Sequence, residues 1–395
     1  MTSVSSVFND KHWPTLLAST VASVVVGFAS TILVIMQAAD AVGASPAQKA
    51  SWAAALCFGM AITTFILSWR FKMPIVTAWS TPGAVLIATS AAGISYDVAL
   101  GAFVTAGVLM VITGLVRPLE RAIEKMPSAI AAAMLAGVLL SYVLKVPVAA
   151  LAQPLLVVPL VIAFFAMRLW KPIYAVPVVV VLGLALAFTS GKMGNACCSF
   201  GITEPTFDMP QFSWAAMVGL GLPLYLVTMA SQNLPGFAVM RACGYQPPVS
   251  ACLLVTGVGS ILTAPFGGHA VNMAAITASM VAGPDSHPDP DQRWKVCIPY
   301  LVLYSLVGLG AAGFVGVLGA LPHESIQAIA GLALFGPLMG GMGSMMKEPK
   351  DIDAALVTFL VTASGFSLFS IGAAFWGLMA GLLLWGVKLL LSSRV

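Results

Sequence analysis

The residues best placed to do chemistry lie in one interruption of an otherwise apolar sequence. Pro265, Gly267 and Gly268 disfavour a continuous helix, and His269 and Asn272 then add polar side chains where apolar residues should continue. In hydrocarbon, an unpaired backbone N–H or C=O group costs several kcal/mol, so such a break persists only where it faces protein, water or a ligand. The break therefore indicates a binding site within a membrane span, where we expect the two glycines to let a ligand touch the backbone.

A second interruption, in the third apolar segment, has the same character. It contains Trp79, Ser80, Thr81, Pro82 and Gly83. Ser80 and Thr81 are good caps for a half-helix that follows an extended piece, and proline suits the first helical turn. Two half-helix amino ends that face each other would form an anion site, so a carboxylate could be held without a buried lysine or arginine.

Two residues are candidates for proton coupling. His269 is the one histidine within a predicted span, and imidazole can exchange a proton near neutral pH. The alternative is that His269 is a neutral hydrogen-bond donor beside the glycine pair. Asp40 lies at the end of the first span, where an acidic residue is either functional or an interfacial residue of the helix end.

Neutral polar residues and apolar walls complete the candidate site. Gln232 and Asn233 can donate hydrogen bonds to a carboxylate, which glutamates would repel. These two residues and Asn272 could instead hold helices together. Other residues near the breaks could contact the apolar part of a ligand or share its cavity, although each could be ordinary packing: Met36, Gln37, Trp79, Tyr225, Met229 and Phe266.

The composition identifies a membrane protein. Of 395 residues, 59% are hydrophobic and 8% are charged, and the mean hydropathy is +0.99, whereas soluble domains contain about 25% charged residues. At about 20 residues for each crossing, the apolar segments predict about fourteen spans. They run over 15–38, 50–69, 74–92, 98–116, 127–144, 148–167, 172–190, 214–240, 248–264, 266–282, 296–318, 324–343, 353–371 and 373–391.

The basic residues predict an orientation. With the amino terminus inside, Lys49, Lys145 and Lys192 are the exceptions among 18 lysines and arginines, and the rest fall on the cytoplasmic side. Both termini are therefore predicted to be cytoplasmic. The net charge of +4 reflects this bias and does not indicate nucleic-acid binding.

Weak internal matches indicate a duplicated half. Residues 33–36, Asp40 and Gly43 match residues 226–229, Asn233 and Gly236 at one offset, and segments five and twelve match at a similar one. Because seven is an odd number of spans, the second half would enter the membrane inverted, as in many secondary transporters. The predicted halves are residues 1–190 (spans 1–7) and 214–395 (spans 8–14).

The remaining signals favour a transporter over two other classes of protein, a channel and a membrane enzyme. A channel would need a continuous polar pore, and a membrane enzyme would need a catalytic set that the few intramembrane acids do not provide. The six cysteines show no metal-binding spacing, and Cys197 and Cys198 fall in a predicted external loop. Residues 117–125 read as a short amphipathic helix at the cytoplasmic surface. We expect a transporter without a metal or cofactor.

Three motifs resemble the signatures of the bacterial benzoate/proton symporters, the BenE family. They are residues 79–83 (Trp-Ser-Thr-Pro-Gly), 232–236 (Gln-Asn-Leu-Pro-Gly) and 265–272 (Pro-Phe-Gly-Gly-His-Ala-Val-Asn). The resemblance covers essentially the whole chain. It implies import of benzoate or a similar aromatic carboxylate with a proton across the bacterial inner membrane, and it leaves a homodimer open.

The resemblance also implies an architecture. The family is related to the uracil permease and the nucleobase/ascorbate transporters, whose core domain would here comprise spans 1–4 and 8–11 and whose gate would comprise spans 5–7 and 12–14. Substrate would bind between spans three and ten, against spans one and eight. Gln232, Asn233 and Asn272 stand where the uracil permease has glutamates, so its proton carrier does not transfer. An anion exchanger, or a symporter for another small organic anion or a nucleobase, remains the alternative.

Overall fold

The computed structural model describes residues 10–91, 93–116, 127–192, 201–368 and 371–392, and these are almost entirely helical. The helices are α1 (Trp13–Ala41), α2 (Pro46–Phe71), α3 (Thr81–Ser90), α4 (Tyr96–Leu115), α5 (Ser128–Val143), α6 (Lys145–Ala152), α7 (Pro154–Trp170), α8 (Ala175–Thr189), α9 (Trp214–Ala242), α10 (Val249–Thr263), α11 (Ile276–Val281), α12 (Cys297–Leu309), α13 (Ala311–Gly319), α14 (His323–Met345), α15 (Ile352–Ala363) and α16 (Ala373–Ser392). The strands are β1 (Thr77–Trp79), β2 (Val271–Met273), β3 (Ser367–Leu368) and β4 (Ile371–Gly372). The predicted surface helix at 117–125 and the Cys197 and Cys198 loop lie outside the described residues.

The chain is a helical membrane protein with many spans. Within the described ranges, eight helical stretches are long and apolar enough to cross a bilayer, and a ninth is reached if α12 and α13, bent by 56° at their junction, form one span. The apolar helices α7 and α8 are shorter, at 17 and 15 residues. Fourteen crossings and an inverted repeat therefore stay predictions.

Three predicted spans have different bounds in the structure. The segment 148–167 is divided at Gln153, because Pro154 begins a new helix at a position where its missing N–H costs nothing. The segment 296–318 bends at Gly310. The segment 353–371 ends as a helix at Ala363, where Gly365 adopts φ +66° and the chain turns into the β3–β4 pair.

Both sequence breaks contain the expected extended piece followed by a short helix. The strands β1 and β2 pair antiparallel, with Ala78 opposite Asn272. Beyond the ladder, Ser80 N–H donates to Ala270 O at 3.2 Å and Ala274 N–H donates to Val76 O at 3.0 Å. This pairing satisfies backbone groups that lipid could not satisfy, and it places the starts of α3 and α11 at opposite ends of the ladder.

Small residues bring the surrounding helices together. Helix α10 packs on α4 and α12 packs on α2, while α14 and α15 pack on α5. At the first of these contacts, a Cβ atom added to Gly257 would lie 2.9 Å from the Val111 backbone nitrogen. Such close approach is how apolar helices gain contact energy where lipid offers no hydrophobic driving force.

A buried ion pair ties the start of the chain to the segment before α12. Lys295 Nζ lies 2.6 Å and His287 Nε2 lies 3.2 Å from Asp10 Oδ2. Burial alone would raise the pKa of Asp10, but hydrogen bonds from Lys295, the His12 backbone N–H and His287 hold it well below its usual range. Arg293 extends the tie, because its guanidinium donates to Ala282 O after the end of α11.

Candidate functional site

A cavity of about 1010 Å³ lies beside the two breaks. One wall comes from α1, the β1–α3 junction, α9 and the start of α11, and the opposite wall comes from α5 and α14. Of the candidate residues named from the sequence, those that line this cavity are Trp79, Thr81, Pro82 and Gln232. The structure gives the others different surroundings, which are described next.

Ser80 connects the broken elements to each other. Its Oγ caps α3 by accepting the Gly83 N–H at 3.1 Å, and it also accepts the Thr228 hydroxyl of α9 at 2.9 Å. Its carbonyl oxygen lies 2.8 Å from His269 Nε2. Because Ser80 is fully buried, its part is to fix the geometry of the break.

His269 bridges three segments as a neutral ring. The indole N–H of Trp52 in α2 lies 3.1 Å from His269 Nδ1. Since an indole nitrogen can only donate, Nδ1 must accept, and the proton is therefore on Nε2, which donates to Ser80 O. The side chain is fully buried, and a second proton would break the Trp52 bond. The geometry fits the neutral-donor alternative, and His269 does not line the cavity.

The two asparagines also bind protein. Asn233 Oδ1 accepts the Met273 N–H of β2 at 2.9 Å, and its amide lies 3.1 Å from the sulfur of Met229. Asn272 donates to Met273 O at 2.9 Å, while its Oδ1 is buried with no partner within the described residues. Both asparagines are fully buried. Asn233 joins α9 to β2, whereas the side chain of Asn272 bonds within β2 itself.

The glycines of the two breaks lie against protein side chains, so backbone contact with a ligand there stays a prediction. Gly267 adopts φ +97°, and a Cβ atom there would lie 2.8 Å from Trp52 Cβ. A Cβ atom on Gly268 would lie 2.6 Å from Thr263 Cβ, and one on Gly83 would approach Leu224 Cδ1 to 2.5 Å. These glycines make room for protein side chains, because the break is packed tightly on the side away from the cavity.

Four further candidates lie away from the cavity. Tyr225 is buried and its hydroxyl lies 2.6 Å from Thr113 Oγ1, so its ring packs α9 on α4. Phe266 contacts Phe207, with ring centroids 5.6 Å apart. Gln37 and Met229 are absent from the lining, with Met229 buried beside Asn233.

Asp40 lies at the carboxyl end of α1, where it forms an ion pair with Lys49. Its side chain is 59% exposed, and it does not line the cavity. This position matches the interfacial alternative for Asp40. The structure therefore does not bring the two proton-coupling candidates together.

Several lining residues were missed by the sequence reasoning. Ser231, Thr277, Tyr304 and Arg241 line the cavity, and all but Ser231 lie on stretches without a nearby polar motif. Ser231 directly precedes Gln232, and this proximity was the one available signal. Arg241 is the charged residue of the lining, and no aspartate, glutamate or histidine lines the cavity in the part of the chain that the structure describes.

The arrangement suits a compact anion with an apolar body. The amino end of α3 presents Thr81 and a partial positive charge to the cavity, although Ser80 already satisfies the Gly83 N–H and Pro82 has no N–H. Gln232 and Ser231 add neutral polar groups, while leucines and alanines of α5 and α14 supply apolar surface. Pockets of about 300–1,000 Å³ with few polar groups are typical small-molecule sites.

Solved structures with a similar fold are anion transporters at low sequence identity. The transmembrane domain of the cyanobacterial bicarbonate transporter BicA aligns with a TM-score of 0.61 and 16% identity, over 94% of this chain and 98% of that chain. The murine anion transporter Slc26a9 in its inward-facing state aligns with a TM-score of 0.60 and 13% identity, over 96% and 69% of the two chains. These likenesses show the fold alone, and the predicted relation to the uracil permease stays a prediction.

Two other bacterial proteins share a higher sequence identity with this chain than these structures do. The inner membrane protein YdcO of Escherichia coli is 39% identical over 381 residues, which is 96% of this chain and 97% of that protein. The benzoate membrane transport protein of Acinetobacter baylyi is 34% identical over 376 residues, or 94% and 95% of the two chains. Residues 9–387 match the family model BenE, described as benzoate membrane transport protein. The chain therefore belongs to the BenE family of membrane transporters.

Proposed function

We propose that this transporter imports benzoate, or a closely related aromatic carboxylate, together with a proton across the bacterial inner membrane. The observation that carries the proposal is the cavity between the two broken segments and helices α5 and α14. A benzoate-like anion has one charged end and one flat apolar end, and the cavity offers a surface for each. The name of the Acinetobacter baylyi relative supports the same substrate.

Electrostatics favour the anion over a cation. No carboxylate of the described residues lines the cavity, whereas Arg241 does. The amino end of α3 adds a partial positive charge at the Thr81 end. A substrate held by Thr81 and Gln232 would bind as an anion without any buried cation beside it, which lowers the desolvation cost of the empty site.

Proton coupling makes the overall movement electrically neutral, because one anion and one proton cross together. In this proposal His269 contributes by fixing Ser80, since both ring nitrogens are already bonded. Asp40 is paired with Lys49 away from the cavity. The proton therefore travels on the substrate carboxylate or on a group outside the cavity lining.

The architecture in the proposal is fourteen spans in two inverted halves, with a core that moves against a gate by alternating access. The antiparallel β1–β2 pair, formed by corresponding segments of the two halves, supports it. The cavity reaches Ser128 at the start of α5, Arg241 at the end of α9 and Ser344 at the end of α14. All three lie on the side predicted to be cytoplasmic, so the cavity corresponds to an inward-facing state.

Anion exchange is the second candidate. The lack of an aspartate, glutamate or histidine in the described part of the lining favours it, because such a cavity offers no group of ordinary acidity to carry a proton. Exchange predicts uptake that unlabelled substrate on the opposite side accelerates and that a pH gradient does not drive.

The test is uptake of labelled benzoate into proteoliposomes under an inward proton gradient, with and without a protonophore. At pH 7.5 only on the order of one molecule in a thousand of a carboxylic acid with an ordinary pKa is neutral, which limits passive entry. Empty liposomes measure that passive entry. Initial rates above this control that the protonophore abolishes are expected.

Rates equal to those of empty liposomes would refute benzoate transport. Uptake that is insensitive to the protonophore, but faster when the vesicles are preloaded with benzoate, would replace symport with exchange. The variant Gln232→Glu adds a negative charge to the cavity lining, so its uptake of benzoate in the same assay should be slower.

A further inference from the structure

One hydroxyl in the cavity lining has no protein partner among the described residues. Ser231 Oγ is shielded from solvent and accepts or donates no hydrogen bond there, although Ser231 lines the cavity. Buried polar atoms are nearly always paired, so an unpaired one indicates a water molecule or a ligand. Ser231 combines an unpaired buried hydroxyl with a position in the cavity lining.

Many hydroxyls on the membrane helices bond to their own backbone, and the buried hydroxyls of Ser23, Ser325 and Thr362, which also lack a partner among the described residues, belong to residues outside the cavity lining. Thr31 donates to Gly27 O at 2.9 Å, Thr105 to Gly101 O at 2.8 Å and Thr256 to Cys252 O at 2.8 Å. This bond to the carbonyl four residues earlier is the usual solution for serine and threonine within a helix. Ser231 does not make it, so its hydroxyl is available to another acceptor.

The local backbone explains the difference. Residues Met229–Asn233 form a π-helical turn within α9. Such a turn widens the helix by one residue and occurs often at functional sites. Its three polar residues are divided between two tasks: Asn233 binds the Met273 N–H of β2, while Ser231 and Gln232 line the cavity. The turn thus joins α9 to the broken segment and places two neighbouring polar residues in the cavity lining.

Ser231 also lies at the deep end of the cavity along α9, away from its cytoplasmic opening. The residues of this helix that line the cavity continue through Leu234 and Ala238 to Arg241. At 1.5 Å per residue, Ser231 and Arg241 lie about 15 Å apart along the helix axis, which is too far for one benzoate to contact both. Arg241 therefore lies at the cytoplasmic opening of the cavity. A substrate carboxylate bound near Ser231 needs hydrogen bonds from neutral groups instead.

We propose that Ser231 donates a hydrogen bond to the substrate carboxylate and, with Gln232, forms the clamp that selects a carboxylate over a neutral analogue. This inference rests on the proposed function and names the group that recognises the anion. A hydroxyl and an amide can both donate to one carboxylate, and such bonds to a charged acceptor are stronger than bonds to a neutral one.

The test compares Ser231→Ala with wild type in equilibrium binding of labelled benzoate to purified protein, with unlabelled benzoate and benzamide as competitors. Benzamide keeps the ring and the planar head group without the charge. Loss of one hydrogen bond to a charged group should weaken benzoate binding by about 10- to 100-fold. Inhibition by benzamide should change by less than about threefold, because bonds to neutral acceptors are weaker.

Two further variants separate recognition from packing. Ser231→Thr keeps the hydroxyl and should retain most of the affinity for benzoate. Ser190→Ala makes the same change at an exposed serine outside the cavity lining and should leave the binding of both ligands unaffected. Thermal unfolding of each variant shows whether the fold is intact.

Unchanged benzoate affinity in Ser231→Ala overturns the clamp. Equal weakening of benzoate and benzamide also overturns it, because that result assigns Ser231 to packing. If the wild type itself binds neither benzoate nor another aromatic carboxylate, the proposed function fails and the clamp fails with it. If wild type and Ser231→Ala bind benzoate equally well, the clamp is refuted while the proposed function stands.

Discussion

Replacement of His269 by phenylalanine should reduce stability without a specific loss of proton coupling. Phenylalanine fills nearly the same space but can neither accept the Trp52 N–H nor donate to Ser80 O, which His269 now does at 3.1 and 2.8 Å. All three side chains are fully buried, so water cannot replace either bond. The Trp52 N–H is thereby left unpaired, while Ser80 O keeps the bond from the Ala84 N–H.

The magnitude follows from the number of unpaired groups. A buried unpaired group costs about 1–3 kcal/mol, so His269→Phe should destabilise the protein by at least about 1–3 kcal/mol. Trp52→Phe also leaves one unpaired group, the Nδ1 atom of His269, besides the volume that it removes. The double variant leaves neither group unpaired, so its cost should fall short of the sum of the single variants by roughly 2–6 kcal/mol.

The assay is reversible unfolding in mixed micelles for wild type, both single variants and the double variant. Trp69→Phe is a matched control, since Trp69 lies on the same helix α2 with 38% of its surface exposed. In proteoliposomes, the uptake of each variant should fall with the fraction folded, while the dependence on the proton gradient stays as in wild type.

Two results would refute this reasoning. The first is a His269→Phe protein as stable as wild type that no longer responds to the proton gradient, which would make His269 the proton carrier. The second is a thermodynamic cycle in which the two substitutions add, which would show that the Trp52 bond is not formed.

Three further expectations follow from other contacts. Gly27→Ala places a Cβ atom 2.8 Å from Tyr304 Oη, so thermal unfolding should show a loss of about 1–3 kcal/mol that Tyr304→Phe largely restores. Gln232→Glu adds a negative charge to the cavity lining, and equilibrium binding of benzoate should weaken by at least about fivefold at neutral pH. Asp10→Asn should lower the unfolding midpoint by the same amount throughout pH 5–8, because the pKa of Asp10 lies below its usual range. The contribution of that carboxylate is complete above its unfolded pKa and is lost only as the pH falls through the folded value, so the difference between Asp10→Asn and wild type should vanish in strong acid.

Local composition was sufficient to predict the elements that carry the site. Pro82 with Ser80 and Thr81, and Pro265 with its glycines, mark breaks that the structure shows as a strand and a short helix. Helix capping and proline placement depend on adjacent residues only, so one sequence is enough to identify them. The same reasoning failed at Gly310 and Gln153, where the bend and the helix boundary follow from packing as well as from residue type.

The assignment of individual site residues was less successful. Gln232 lines the cavity while Asn233, its neighbour, is fully buried against β2. Neighbouring residues of a helix lie about 100° apart and so meet different surroundings, and the π-helical turn at Met229–Asn233 changes which of them face the cavity. No periodicity in the sequence predicts such a turn. Ser231 was therefore not recognised as a residue of the cavity lining.

The amino-acid sequence by itself determined that this chain is a membrane protein with two polar breaks, because apolar runs and helix-breaking residues act through local chemistry. The tertiary structure alone decided which polar groups of those breaks face the cavity and which bind protein. That decision depends on pairing β1 with β2 across nearly 200 residues of chain, and on how α2 places Trp52 against His269. Hydrogen bonds between segments so distant in sequence depend on side-chain direction, which only the folded arrangement of the helices determines.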